Sequence, residues 1–356
     1  MATLGTHSKG TPAVRPLLLG GRAVGPGHPC FVIAEAGVNH DGDPALAHRL
    51  VDVAADCGAD AVKFQTFDPA ALVSARAEAA PYQRRRGAAD QGDMLAALTL
   101  PESAWGELAA HAGERGLLFL STAFDLGSLD LLLALGMAAI KVPSGELDHL
   151  GFITELASRG LPMIVSTGLG SLDEVAAAVD AATAAPGLAL LHCVTAYPAP
   201  AEASNLRAMV TLRDAFALPV GWSDHTEGSV TAVAAVALGA SILEKHLTTD
   251  RTRSGPDHAA SADPDGFAAY VAAVRAAEAS LGDGVKRPAE AEAENRVHAR
   301  RSWHAVRDLE AGATIGTGDV RLLRPATGLP PAAEPVGRVV ARRVEAGRAL
   351  TAEDLA

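Results

Sequence analysis

The sequence predicts a (β/α)8 barrel followed by a small β-rich module at the C-terminus. Three observations carry that prediction. Eight short apolar runs alternate with helical segments from Phe31 onward. The runs are continuous rather than alternating, as expected of strands buried on both faces. Each run also ends in polar residues, and this fold places its chemistry at the C-terminal ends of its strands.

The hairpin comes first. Residues 1–30 read as a flexible leader and an N-terminal hairpin, because "LLLGGRAVG" sets Gly-Gly between two apolar runs. "FVIAEAG" is the first barrel strand, and the helix behind it starts at Asp43 as N-cap with Pro44 in the first helical position. "AVKFQTF", "LLFLSTAF", "AAIKVPSG", "MIVSTG", "LALLHCVTAY", "PVGWSDH" and "SILEKHLT" follow, separated by helical segments such as "SLDLLLALG" and "SLDEVAAAVDAAT". A doubly wound open sheet is the alternative, but no GxGxxG turn follows the first strand. The barrel spans 31–281, the charged, Ala-rich "GDGVKRPAEAEAEN" opens a linker over 282–296, and 297–356 form the module. Within it "VRDLEAGATIGTGDV" and "ARRVEAGRALTAEDL" repeat one pattern, which predicts a pseudo-symmetric unit of short strands and turns. A unit so small is marginal alone and is expected to lean on a partner surface.

A net charge of −12 over 356 residues argues against a nucleic-acid partner, which needs a basic stripe. The one basic run, Arg84-Arg85-Arg86, reads as a solvated loop or helix end. An anionic ligand would need a locally positive pocket. Cys30, Cys57 and Cys193 have no CxxC spacing, so they read as buried small side chains in a reducing cytoplasm. No apolar stretch approaches ~18 residues and no signal-peptide core is visible, which predicts a soluble cytoplasmic protein without membrane contact.

At the strand ends, His225 and His246 close two neighbouring strands ~4.8 Å apart. Two imidazoles do not make a closed zinc site, but they suit an open site on Mn²⁺ or Mg²⁺ whose other positions go to water and substrate. Hydrogen-bonded core histidines are the other reading. Lys63 and Lys141, with the hydroxyls of Ser144, Ser166 and Ser223, suit a small, highly anionic substrate such as a phosphorylated carboxylate. Alternatively the lysines pair with Glu35 or Glu146. Those two carboxylates could exchange protons with water or a substrate hydroxyl, or could orient a lysine.

"IAEAGVNHDGD", "AVKFQTF", "STAFD", "KVPSGE", "STG", "AYPAP", "SDHT", "EKHLT" and "GPDHAAS", with "LLRPATG" in the terminal module, together resemble the sialic acid synthase family from about Phe31 to the C-terminus. The module is similar to that family's antifreeze-like (SAF) domain. The resemblance implies a metal-dependent condensation of phosphoenolpyruvate with the open-chain aldehyde of an N-acetylated amino sugar, typically N-acetylmannosamine. Phosphate leaves and a nine-carbon 2-keto-3-deoxy acid forms. By position, the resemblance makes His225 and His246 the ligands of a divalent metal, Mn²⁺ first with Mg²⁺ or Co²⁺ as alternatives. It gives Lys63, Lys141, Ser144, Ser166 and Ser223 to the substrate's carboxylate and phosphate, with Thr122, Gln65, Thr195 and Tyr197 beside them. Glu35 and Glu146 would handle water and sugar hydroxyls, and Asp257 would bind the sugar. Arg324 would reach the N-acetyl group in the other subunit of a domain-swapped homodimer. One departure stands out: Thr195 occupies a position where some members carry Asn, which weakens one phosphate contact. The resemblance leaves the sugar open, since legionaminic and pseudaminic acid pathways use relatives. A Schiff-base aldolase using Lys63 or Lys141, and a non-catalytic sugar- or ice-binding protein built around the module, are the rival readings.

Overall fold

The computed structural model describes residues 14–74 and 91–356. The first part of the leader and Arg84-Arg85-Arg86 lie outside the described residues. The chain divides into two compact units, Met1–Gly282 and Asp283–Ala356.

β1 (Leu17–Leu19) and β2 (Arg22–Val24) form the antiparallel hairpin, with Leu17 opposite Val24. Gly20 and Gly21 turn it at φ +52° and +82°, a region that glycine enters without steric penalty. Eight parallel strands then close a barrel: β3 (Phe31–Gly37), β4 (Ala61–Thr66), β5 (Leu118–Ala123), β6 (Ile140–Val142), β7 (Met163–Ser166), β8 (Leu188–Cys193), β9 (Val220–Asp224) and β10 (Ile242–His246). They pair in sequence order, and β10 closes on β3. A family of sheet, helix and turn signals thus resolves into the predicted (β/α)8 barrel.

β6 and β8 fall furthest short of their apolar runs. β6 stops at Val142 because Pro143 has no N–H for the ladder, and the chain turns into a 3₁₀ segment at Ser144–Glu146. β8 stops at Cys193; beyond it Ala196 N donates to Val194 O (2.9 Å), a local turn that takes this donor out of the sheet.

The helices follow their caps. Asp43 caps Pro44–Asp56 by accepting from Ala45 N (2.9 Å), and the apolar face Leu46, Leu50, Val51 and Ala54 is buried. Leu126–Ala134 begins two residues before "SLDLLLALG" because Asp125 accepts from Ser128 N (2.7 Å). Ser171 and Glu174 form a capping box on Leu172–Ala181. Pro264–Leu281 buries Phe267, Tyr270, Val271 and Val274 and packs between the helices Val230–Ala237 and Pro44–Asp56.

In the second unit, a short helix, Ala293–Ala299, crosses the boundary read between linker and module at 296/297; all its residues are exposed, so it carries no apolar periodicity to detect. β11 (Ser302–Ala305) pairs antiparallel with β12 (Val320–Leu323). The sequence repeat becomes a two-fold pattern of contacts. Leu309 and its counterpart Val344 exchange both backbone hydrogen bonds (2.8 and 2.9 Å), and Gly312 N to Val340 O (2.8 Å) is mirrored by Gly347 N to Ala305 O (2.8 Å). The core is four matched pairs: Ala305 with Val340, Leu309 with Val344, Ile315 with Leu350, and Val320 with Leu355.

Candidate active site

Side chains alternate along a strand, so within β9 and β10 the residues two apart share a face. Ser223 and His225 thus point the same way, as do Glu244 and His246, while Asp224 and Lys245 point to the other side. Barrel closure sets His246 opposite Glu35, Glu35 opposite Lys63, and Thr122 opposite Lys141.

The result is one network of buried charge. Lys63 Nζ lies 2.6 Å from Glu35 Oε2 and 3.7 Å from Glu244 Oε2, and donates to Thr122 Oγ1 (3.0 Å). Gln65 Nε2 donates to Glu35 Oε1 (2.9 Å). Lys141 Nζ lies 3.6 Å from Glu244 Oε1 and donates to Ser166 Oγ (2.8 Å), while Ser223 Oγ donates to the same Glu244 oxygen (3.1 Å). Every barrel strand except β8 contributes. Glu35, Lys63 and Lys141 are 2–3% exposed. Burying such pairs costs several kcal/mol per ion, and apolar side chains would often fill the space at least as stably. Concentrated buried charge of this kind is what an active site keeps.

The four groups are not equivalent. Burial raises Glu35 above the usual carboxylate range despite Lys63 beside it. Burial would raise Glu244 as well, but Lys141 and Lys63 together hold it down to about 2. Burial lowers Lys141, and Lys63 adds to this; Lys63 itself is raised because Glu244 and Glu35 outweigh its desolvation. Glu244 is therefore held as an anion between the two lysines, and of the two carboxyls Glu35 is the one that takes up a proton more readily.

Next to the network the two imidazoles stand with ring centroids 5.4 Å apart at 52°. His225 Nδ1 donates to Val194 O (2.8 Å), since a carbonyl can only accept, and this leaves the Nε2 lone pair free of that bond. His246 Nδ1 is buried without a hydrogen-bond partner among the described residues, and Asp257 Oδ2 is 3.9 Å from it. The Tyr197 ring packs 4.2 Å from that of His225. Among the described residues no group of three or more His, Cys, Asp or Glu side chains is arranged as a metal cluster. The two imidazoles nonetheless fit an open site: a metal-binding histidine commonly gives its other ring N–H to a backbone carbonyl, as His225 does, and His246 carries an orphaned nitrogen.

A third group adjoins the lysines. Gly168 N donates to Ser144 Oγ (3.0 Å), and a Cβ at Gly168 would lie 2.4 Å from Thr195 Oγ1 and 2.7 Å from Ser144 Oγ. Only glycine lets both hydroxyls come this close to the backbone of residue 168, two residues beyond Ser166. Such a cluster of donors suits an anion.

The structure thus brings together Glu35, Lys63, Gln65, Thr122, Lys141, Ser166 and Ser223, with Ser144 and Thr195 around Gly168 and with Tyr197 and Asp257 around the imidazoles. Glu35 pairs with Lys63, one of the alternatives left open by the sequence. Glu146 closes its 3₁₀ segment and pairs instead with His149 Nδ1 (2.8 Å) at the start of the next helix; among the described residues it has no bond to a lysine. Arg324 is exposed just beyond β12 in the second unit. Sequence reasoning assigned no role to Glu244, the hub of the network; its spacing of two from His246 was the available signal. Cys193 is buried, as read from the sequence, and its Sγ lies 3.8 Å from His225 Nδ1.

Comparison with known families is decisive here: the NeuB family matches residues 50–286 and the SAF domain matches residues 300–356. The chain belongs to the NeuB family. Like its relatives in that family, which are synthases, it is an enzyme. It is 44% identical over 336 residues to the N,N'-diacetyllegionaminic acid synthase of Legionella pneumophila, covering 92% of this chain and 94% of that protein. To the synthase of the same name from Campylobacter jejuni it is 42% identical over 305 residues, covering 84% and 91%. The crystal structure of the N-acetylneuraminic acid synthetase of Leptospira borgpetersenii in complex with citrate matches with a TM-score of 0.69 at 33% identity, covering 79% of this chain and 95% of that one. No helix among the described residues is long and apolar enough to cross a membrane.

Proposed function

We propose that this NeuB-family enzyme condenses phosphoenolpyruvate with the open-chain aldehyde of an N-acetylated amino sugar, releasing phosphate and forming a nine-carbon 2-keto-3-deoxy acid. The observation that carries the reading is the pair of buried lysines, Lys63 and Lys141, sharing Glu244 beside two imidazoles. Phosphoenolpyruvate presents a carboxylate and a phosphate close together. Lys63 with Thr122 and Gln65 on one side, and Lys141 with Ser144, Ser166, Thr195 and Ser223 on the other, form two donor groups of matching charge. The relatives in Legionella and Campylobacter are named for a product bearing two N-acetyl groups. A 2,4-diacetamido sugar is therefore our first choice of acceptor, ahead of N-acetylmannosamine.

Carbon 3 of phosphoenolpyruvate attacks the aldehyde carbon, water adds at carbon 2, and the resulting tetrahedral centre expels phosphate. Glu35 exchanges a proton with that water or with the new hydroxyl, and Asp257 holds a sugar hydroxyl near His246. Glu146 serves the sugar from the rim. A divalent ion held by His225 and His246, Mn²⁺ with Mg²⁺ or Co²⁺ as alternatives, would supply Lewis-acid polarisation of the aldehyde oxygen. Arg324 binds the acetamido group within a second copy's barrel, in a domain-swapped homodimer working in the cytoplasm.

Phosphate release from phosphoenolpyruvate is the direct assay, run over N-acetylated hexosamines and their 2,4-diacetamido relatives with and without divalent ions. Turnover should require an ion, and His225→Ala should abolish it with little change in melting temperature; near-normal turnover in that variant would refute the two-histidine assignment. Truncation after Asn295 should leave a folded barrel without activity, and an active truncated chain would remove Arg324 from the proposal. Borohydride with pyruvate should trap no lysine adduct, since Lys63 and Lys141 are both engaged with Glu244.

A further inference from the structure

We propose that Lys245 and Asp224, an ion pair buried behind the barrel wall, are positioning residues that hold His225 and His246 at metal-binding separation. The inference rests on the reading of those two histidines as ligands. Each member of the pair immediately precedes one histidine, and the two are register partners across β9 and β10. Because side chains alternate, they face away from the barrel mouth, toward the helix Pro264–Leu281.

Lys245 Nζ lies 3.5 Å from Asp224 Oδ2, donates to Thr226 O, and stands 5.3 Å over the Tyr270 ring. Asp224 Oδ1 accepts from Thr226 N (2.8 Å) and Thr226 Oγ1 (2.7 Å), and Oδ2 accepts from Thr231 Oγ1 (3.2 Å). The residues on both sides of His225 are thus tied to Lys245, whose own backbone leads directly into His246. A single ammonium joins the two chain segments that carry the imidazoles.

None of these groups belongs to the charge network in the barrel mouth. Around the pair this helix buries Phe267, Tyr270, Val271 and Val274, and its other charged ties, from Arg275 and Glu278 to Asp60 and Cys30, lie at the opposite, N-terminal end of the strands. Bonds from a metal to nitrogen hold within about 0.2 Å of their preferred length, and a rigid brace between two ligand-bearing strands answers that demand.

The test is titration of metal-free protein with Mn²⁺ alone, read by calorimetry and by the spin-resonance signal of free Mn²⁺, alongside thermal melting. Lys245→Met by itself strands a buried carboxylate and is expected to melt early. The double variant Lys245→Met with Asp224→Asn removes both charges and should keep its fold, yet bind Mn²⁺ about tenfold more weakly. A folded double variant with the affinity of the parent overturns the brace and leaves the histidine assignment intact. Should the double variant not fold, Thr231→Val removes one support of Asp224 without exposing a charge; about twofold weaker binding is expected, and an unchanged affinity again overturns the proposal. A parent protein that binds no Mn²⁺ defeats both readings together.

Discussion

Asp354 in the C-terminal unit and Glu244 in the barrel are both buried carboxylates, but they are buried for different reasons. Asp354 accepts from Arg342 Nε (2.6 Å) and Thr351 N (2.8 Å). Its repeat counterpart Asp319 accepts from Arg307 Nε (2.6 Å) and Gly316 N (2.8 Å), the same two bonds one repeat earlier. A contact made twice at equivalent turns is architectural: each aspartate closes a turn that the fold needs. Glu244 has no such twin. Its partners are two lysines and a serine from three other strands, and none of those contacts caps a helix or closes a turn. The repeat acts as an internal control, and against it the barrel's charge stands out as something folding alone does not require.

Glu244→Ala probes that difference most strongly. It leaves two ammonium groups without their shared anion, so a loss of about 3–5 kcal/mol in denaturant unfolding is expected, together with loss of turnover. A variant of parental stability and activity would show that the network is not the centre of the site. Asp354→Ala should cost about 1–3 kcal/mol through lost charge-assisted bonds, and Asp319→Ala less, because Asp354 is the fully buried one of the two. If either cost nothing, the repeat would not be a structural control.

The last expected effect is confined to acid conditions. Burial lowers His40 to about 4, so it is neutral in the folded barrel at pH 7, with Nδ1 accepting from Gly42 N (3.1 Å). Between the unfolded value near 6.5 and about 4, the unfolded chain binds the extra proton. Stability present above pH 6.5 is therefore lost as pH falls through this window, at most about 1.4 kcal/mol per unit. Melting followed from pH 7 to 4 should show the loss, and His40→Asn should flatten it; an equal slope in the variant would assign the acid sensitivity elsewhere.

Much of this fold is legible before any coordinates. Gly20-Gly21 announces the hairpin, Asp43-Pro44 and Ser171 announce helix starts, and the two Glu-Ala-Gly segments announce the paired halves of the second unit. Those signals are local, since a cap or a turn acts within a few residues of itself. The exposed helix Ala293–Ala299 escaped because a helix that buries no face leaves no periodic trace. In the site, strand-end position found the lysines, serines and histidines. It did not show that Glu146 turns to His149, or that Glu244 rather than Glu35 sits between both lysines.

By itself the sequence determined the order of strands and helices, the matched halves of the C-terminal unit and the polar rim of the barrel, because periodicity, caps and turn residues are short-range properties. Which charges meet was decided by the tertiary structure. β10 reaches Lys63 only when it closes on β3, and Lys141 meets Ser166 and Glu244 only across the interior of that closed sheet. The physical reason is register: a parallel barrel sets the height and the face of each side chain through pairings between segments far apart in the chain, and no local pattern encodes them.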